Sequence, residues 1–137
     1  MRFASIGECM LELSTLGDDN YSMAYGGDTL NTAVYLARLG VEVDYVTALG
    51  DDPLSERMVE AWQAEGVGTR LVLQVPGRLP GLYLIRRDAR GERSFYYWRD
   101  QAPARELFAL PETPFDHRGV DRLRSTLFLR HYPLALR

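Results

Sequence analysis

Lysine is absent from this sequence: all 16 basic residues among its 137 residues are arginine. The phosphate-binding pattern Gly-x-x-x-x-Gly-Lys-Ser/Thr is therefore excluded, and the dinucleotide pattern Gly-x-Gly-x-x-Gly is missing as well. The one cysteine, Cys9, cannot form an internal disulfide. No apolar run reaches the roughly 18 residues of a membrane span, and charged residues interrupt the start of the chain, where a secretory signal needs an apolar core. We expect a cytoplasmic protein without a membrane partner.

Excess charge of either sign is also lacking. The formal net charge of −3 gives no reason to expect nucleic acid as a partner. Up to residue 114 the chain has 11 arginines against 17 acidic residues, whereas from residue 115 onward it has 5 arginines against 2. Both histidines, His117 and His131, lie in this basic tail and lack the spacing of metal ligands. The change of sign near Phe115 marks a candidate boundary.

Strand and helix patterns alternate along the first half of the chain, which predicts a parallel sheet covered by helices. Apolar residues at spacings of three and four predict two helices that end at Gly40 and Gly66. Asp52 and Pro53 are typical of a helix start, and they precede the second helix. The expected strands cover residues 3–6, 21–25, 41–49 and 71–75, with an extended segment over 10–16 and a hairpin formed by 82–86 and 94–99.

The segment Gly26-Gly27-Asp28-Thr29-Leu30-Asn31, which we call the glycine turn, is the most informative local feature. Paired glycines allow a ligand to approach the backbone, and the start of a helix presents free N–H groups. Asp28 and Asn31 are able to hydrogen-bond the hydroxyl groups of a polyhydroxylated ligand. The alternative is a plain strand-to-helix turn in which Asp28 or Thr29 caps the helix.

The hairpin is rich in aromatic residues, among them Tyr83, Tyr97 and Trp98. It is expected to be half-buried, as a flap over a site rather than as part of the core. Arg99 closes the second strand, where its guanidinium would suit a carboxylate ligand. The alternative is an exposed arginine paired with Asp100.

Three side chains near the start have simpler interpretations. Cys9 is expected to be a small buried residue with no neighbour that would activate its thiol. Glu8 and Glu12 suit a carboxylate pair, but ordinary surface acids are the favoured interpretation. The sequence supports no metal site.

Several segments together resemble the ribokinase-like (PfkB) carbohydrate kinases. The resemblance depends on their order and separation, and it covers residues 2–115. A further likeness to the branch that phosphorylates 2-keto-3-deoxygluconate comes from Arg-Leu-Pro-Gly-Leu-Tyr (78–83) and Gly-Glu-Arg-Ser-Phe-Tyr-Tyr-Trp-Arg (91–99). The family segments are Gly-Glu-Cys-Met-Leu-Glu-Leu (7–13), the glycine turn continued to Ala33, Ala-Arg-Leu-Gly (37–40) and Tyr-Val-Thr-Ala-Leu-Gly-Asp-Asp (45–52).

The resemblance implies an α/β fold, a ribokinase-like, Rossmann-type, mostly parallel sheet with a small β lid. It implies transfer of the γ-phosphoryl group of ATP, with Mg²⁺, to the 6-hydroxyl of the sugar acid, and a homodimer formed through the lid strands. Arg99 becomes the expected partner of the substrate carboxylate, and the hairpin becomes the lid. The implied substrate-binding residues are Gly26, Gly27, Asp28, Thr29, Leu30, Asn31, Tyr83, Tyr97, Trp98 and Arg99.

One departure from the family concerns catalysis. The family takes its catalytic base from a later Gly-Ala-Gly-Asp segment, which this sequence does not contain. We therefore expect residues 1–115 to be the N-terminal part of the kinase domain and 116–137 to be a non-matching basic tail, from a shifted reading frame or an early stop. A genuine short helix is the alternative for the tail. The expected chain is catalytically inactive and poorly soluble or oligomeric; the alternatives are a non-catalytic sugar-acid-binding fragment and a kinase for fructose or ribose.

Overall fold

A computed structural model describes residues 2–17, 20–88, 90–111 and 113. The basic tail, with Phe115, His117 and His131, lies outside the described residues. The elements in chain order are β1 Arg2–Ile6, β2 Met10–Gly17, β3 Asn20–Gly26, α1 Asp28–Arg38, β4 Glu42–Gly50, α2 Pro53–Ala64, β5 Gly68–Val75, β6 Leu82–Arg87, β7 Arg93–Trp98 and a 3₁₀ helix Pro103–Ala109.

Three parallel strands form the first sheet, in the order β1-β4-β5. The central strand, β4, is buried along its whole length except for its first residue, and its side chains alternate between two apolar clusters. Val43, Tyr45 and Leu49 pack in the cluster that holds the inner faces of α1 and α2, whereas Val46 and Ala48 pack in the cluster with Leu107. The 3₁₀ helix that supplies Leu107 is not anticipated in the sequence.

The second sheet, which we call the lid sheet, has four strands in the order β3-β2-β6-β7. β2 pairs antiparallel with β3 and parallel with β6, and β6 forms the expected hairpin with β7. The sequence predicted the hairpin alone as the lid. The structure adds β2 and β3, so that the lid sheet continues directly into the glycine turn at the end of β3.

The helix ends follow the sequence in three places and depart from it in one. Asp52 caps α2 by accepting hydrogen bonds from the backbone N–H groups of Leu54 and Ser55, at 2.9 and 3.2 Å. Gly40 and Gly66 adopt positive φ after the two helices, as expected. The expectation that Asp28 or Thr29 caps α1 is wrong, because both lie inside the helix and the N-cap residue is Gly27.

The reason for this departure is steric and polar. A Cβ atom on residue 27 would lie 2.5 Å from the carbonyl oxygen of Glu8, so only glycine fits where the helix begins. The Thr29 hydroxyl is already used in a 3.0 Å hydrogen bond with the Tyr45 hydroxyl inside the core. The start of α1 is therefore fixed by packing against the loop between β1 and β2. Within the described part of the chain, neither helix has the length and apolarity needed to cross a membrane.

Candidate functional site

A shallow pocket of about 240 Å³ lies between the glycine turn and the lid sheet. One wall is backbone and the Asp28 side chain at the start of α1. The other wall is the aromatic side of the β6–β7 hairpin. The lining residues are Met10, Gly26, Gly27, Asp28, Tyr83, Phe95 and Tyr97.

Three rings form the aromatic wall of the pocket, which we call the aromatic face. Tyr83 lies opposite Tyr97 in the strand register, with ring centroids 5.9 Å apart, and Phe95 lies 6.4 Å from Tyr97. Alternation along β7 directs Tyr96 and Trp98 to the other side of the sheet, and neither lines the pocket. The rings present flat apolar surface of the kind that packs against the carbon skeleton of a sugar.

Gly26 makes room for the Tyr83 hydroxyl, because a Cβ atom on residue 26 would overlap that oxygen. The hydroxyl donates a hydrogen bond to the Glu12 carboxylate on the neighbouring strand β2. Burial, together with this hydrogen bond, raises the pKa of Tyr83 above its ordinary value. Tyr83 therefore remains protonated at neutral pH, and the hydroxyl end of its ring lies against Gly26.

Arg99 follows directly after β7 and reaches back to the start of the chain. Its Nη2 donates a hydrogen bond to Oε2 of Glu8, with which it forms an ion pair. The alternative pairing with Asp100 is wrong, because the Asp100 side chain is 99% exposed and lies 3.7 Å from Arg105 instead. The guanidinium of Arg99 thus lies at the edge of the lid, attached to the loop that packs against the glycine turn.

Glu8 is not the surface acid that the sequence suggested. Only 8% of its surface is exposed. Burial raises the pKa of its carboxyl group, and the positive charge of Arg99 opposes that rise.

Cys9 is buried as expected, and burial raises the pKa of its thiol, which makes it unreactive at neutral pH.

The structure brings five of the ten predicted site residues to the pocket, and it places the others around it. Thr29 and Leu30 are buried on the inner face of α1, Asn31 and Trp98 are exposed, and Arg99 lies beyond the lining at the lid edge. Two lining residues were missed. Strand alternation from Tyr97 would have indicated Phe95, whereas Met10 enters through its pairing with Gly26, which the sequence does not reveal.

The described residues contain no group of three or more His, Cys, Asp and Glu side chains arranged to hold a metal ion. None of them is therefore assigned to Mg²⁺, which proteins usually hold through one or two carboxylates together with substrate phosphates. The pocket offers hydrogen-bonding groups and an apolar wall, and the Arg99 guanidinium lies beyond its lining at the lid edge. This combination is suited to a polyhydroxylated acid.

Comparison with known proteins identifies related kinases. The chain is 52% identical over 113 residues to the 2-dehydro-3-deoxygluconokinase of Dickeya dadantii (strain 3937), a match that covers 80% of this chain and 36% of that protein. This chain thus spans about a third of the length of that relative.

Solved structures share the fold. The crystal structure of 2-dehydro-3-deoxygluconokinase from Thermotoga maritima superposes with a TM-score of 0.72 at 22% identity, over 93% of this chain and 39% of that one. An uncharacterized sugar kinase, PH1459 from Pyrococcus horikoshii, in complex with ATP, superposes with a TM-score of 0.66 at 27% identity, over 73% and 35% of the two chains. The expected ribokinase-like α/β fold is confirmed.

The family model described as pfkB family carbohydrate kinase matches residues 2–115. That match includes the glycine turn, the whole lid sheet and Arg99. The chain belongs to the pfkB family of carbohydrate kinases.

Proposed function

We propose that this chain is the sugar-binding part of an ATP-dependent kinase that phosphorylates the 6-hydroxyl of 2-keto-3-deoxygluconate, the 2-dehydro-3-deoxygluconate in the name of its relative. The observation that carries the proposal is the pocket between the glycine turn and the aromatic face, in a chain 52% identical to that kinase. The division of the chain at residues 115 and 116 and a cytoplasmic location belong to the same proposal.

The pocket residues and Arg99 would each bind a different part of the ligand. The Asp28 carboxylate accepts hydrogen bonds from the hydroxyl groups of the sugar. The first free N–H groups of α1 donate hydrogen bonds to oxygen atoms of the sugar. The aromatic face packs against the carbon chain and excludes water from it. Arg99 supplies the positive charge that distinguishes a sugar acid from a neutral ketose.

Phosphoryl transfer needs further groups. PfkB kinases use ATP, and catalysis requires a base at the attacking hydroxyl and donors for the transferring phosphoryl group. When bound, ATP with Mg²⁺ supplies the phosphoryl group and part of its charge neutralisation. The sequence contains no Gly-Ala-Gly-Asp segment, from which the family takes its base, so we propose that a chain of these 137 residues binds the sugar acid without phosphorylating it.

Calorimetry and a coupled assay on the purified chain test this proposal. We expect titration with 2-keto-3-deoxygluconate to give saturable heat, and the assay with ATP and Mg²⁺ to show no formation of ADP. D-fructose is the matched neutral ligand and is expected to bind more weakly. Turnover would contradict the proposed inactivity, equal binding of fructose would indicate a neutral-sugar kinase, and no binding of either ligand would contradict the proposed function.

The outer side of the lid sheet supports a further part of the proposal, a homodimer formed through the lid strands. Among the described strands, β7 lies at the edge of the lid sheet, and Tyr96 and Trp98 on its outer side are 47% and 53% exposed. An open edge with exposed aromatic side chains favours association. We expect sedimentation velocity to show a dimer, and Trp98→Glu to shift it toward monomer because a buried charge disfavours pairing. A monomeric wild-type chain would contradict the dimer.

A further inference from the structure

Glu8 connects two parts of the molecule that are far apart in the chain. It lies in the loop between β1 and β2, whereas its partner Arg99 follows β7, 91 residues later. The Glu8 side chain is 4% exposed and the Arg99 side chain 34% exposed. The ion pair therefore joins the loop between the two sheets to the end of β7 in the lid sheet.

The surroundings of Glu8 are fitted to this contact. A Cβ atom on Gly81 would lie 2.7 Å from Oε1 of Glu8 and 3.2 Å from Cβ of Arg99, so the missing side chain at residue 81 leaves room where these two side chains meet. The backbone of Glu8 also packs against Gly27, as described above. One residue thus contacts the glycine turn through its backbone and the lid through its side chain.

The ion pair leaves hydrogen-bonding capacity unused. Oε1 of Glu8 and Nε of Arg99 are both buried, and neither has a hydrogen-bond partner in the part of the chain that the structure describes. Glu8 accepts from one nitrogen of the guanidinium, Nη2, and arginine offers five N–H donors. The contact fixes the guanidinium through Nη2. Because Nε is buried, the donors left to a ligand are the remaining N–H groups of Nη1 and Nη2.

We propose that Glu8 is a positioning residue that holds Arg99 at the lid edge, with N–H groups left for the carboxylate of the sugar acid. This inference rests on the proposed function, because it assigns Arg99 a ligand. Glu8 acts through Arg99 and does not itself touch the substrate. It would therefore govern the preference for acids over neutral sugars and leave the hydroxyl contacts of Asp28 unchanged.

The first experiment compares Glu8→Gln with Glu60→Gln, the same substitution at an exposed site on α2. Glutamine keeps the size of the side chain but loses the charge that orders Arg99. Calorimetry is expected to show about tenfold weaker binding of 2-keto-3-deoxygluconate by Glu8→Gln, since charge-assisted hydrogen bonds are about twice as strong as neutral ones. Fructose binding and the Glu60→Gln variant are expected to match the wild type. Unchanged acid binding by a folded Glu8→Gln, or equal loss for both sugars, would overturn the proposal.

The second experiment needs no ligand and separates the inference from the proposed function. Carboxyl ¹³C NMR of the wild type and Arg99→Gln reports the pKa of Glu8 directly. The charged and titratable groups that face this carboxyl are Arg99, Arg105 and the Cys9 thiol. Because Arg99 lowers the pKa of Glu8, its removal is expected to raise that pKa further. An unchanged pKa would overturn the proposal even if Glu8→Gln does not fold. If the wild type binds neither sugar but the pKa of Glu8 rises in Arg99→Gln as expected, the proposed function is refuted and the contact between Glu8 and Arg99 is still established.

Discussion

Arg99→Ala is expected to weaken binding of 2-keto-3-deoxygluconate on the order of 10- to 100-fold, with little change for D-fructose. Hydrogen bonds to a charged group contribute about 1.5–3 kcal/mol, and each 1.4 kcal/mol corresponds to a tenfold change in the dissociation constant. The guanidinium lies at the edge of the lid, next to the loop that packs against the glycine turn. Calorimetry with both sugars measures the two dissociation constants.

Arg99→Ala also removes the partner of a buried carboxylate, which complicates its interpretation. Glu8 would remain buried without its ion pair and would be expected to take up a proton, at a cost in stability. The double variant Glu8→Gln/Arg99→Ala removes that buried charge as well. We expect the double variant to recover stability in urea unfolding while its binding of the acid remains as weak as that of Arg99→Ala.

Two further variants complete the Arg99 experiment. Arg99→Lys keeps the positive charge but loses the planar fork, so an intermediate loss of acid binding is expected. Arg57→Ala removes an exposed arginine from α2 and is expected to bind both sugars like the wild type. If the double variant regains acid binding together with stability, Arg99 contributes only to folding and the proposed contact with the carboxylate is wrong.

The helices and the parallel sheet could be predicted from the sequence because local residue patterns determine them. The apolar residues of α1 and α2 recur at helical spacing, and glycines with positive φ end both helices. β4 appears as an apolar run because both of its faces are covered. Only the hairpin half of the lid sheet could be predicted. Nothing local to β2 indicates that it pairs with β6, some 70 residues later, because a parallel pairing has no connecting turn to mark it.

The candidate site could likewise be predicted only in part. The glycine turn was evident from its composition, and the resemblance to a kinase family identified Tyr83, Tyr97 and Arg99. Sequence reasoning from local features assigned Glu8 to the surface, because an acid after a short strand is usually exposed. Its buried carboxylate is paired with the guanidinium of Arg99, which follows a distant strand, and such long-range pairs leave no local pattern in a single sequence.

The largest expected loss of stability comes from Trp62→Ala. The Trp62 side chain is 2% exposed, on the inner face of α2, and its ring packs edge-to-face on Tyr45 with centroids 5.1 Å apart. Truncating a buried aromatic residue to alanine costs about 3–5 kcal/mol, against a total of about 5–15 kcal/mol for a domain. We expect the midpoint of thermal unfolding, followed by circular dichroism, to fall by roughly 10–20 °C.

Two variants show whether this loss comes from packing. The indole Nε1 of Trp62 is buried and has no hydrogen-bond partner among the described residues, so Trp62→Phe removes an unpaired donor and keeps most of the ring contact. It is therefore expected to lose much less stability than Trp62→Ala. Tyr35→Ala removes an aromatic side chain that is 64% exposed on α1 and serves as the control, with a change within a few degrees. Removing a side chain from a filled core leaves a cavity, whereas removing one from the surface does not. If Trp62→Ala and Tyr35→Ala had similar unfolding midpoints, α2 would not pack on β4 through Trp62.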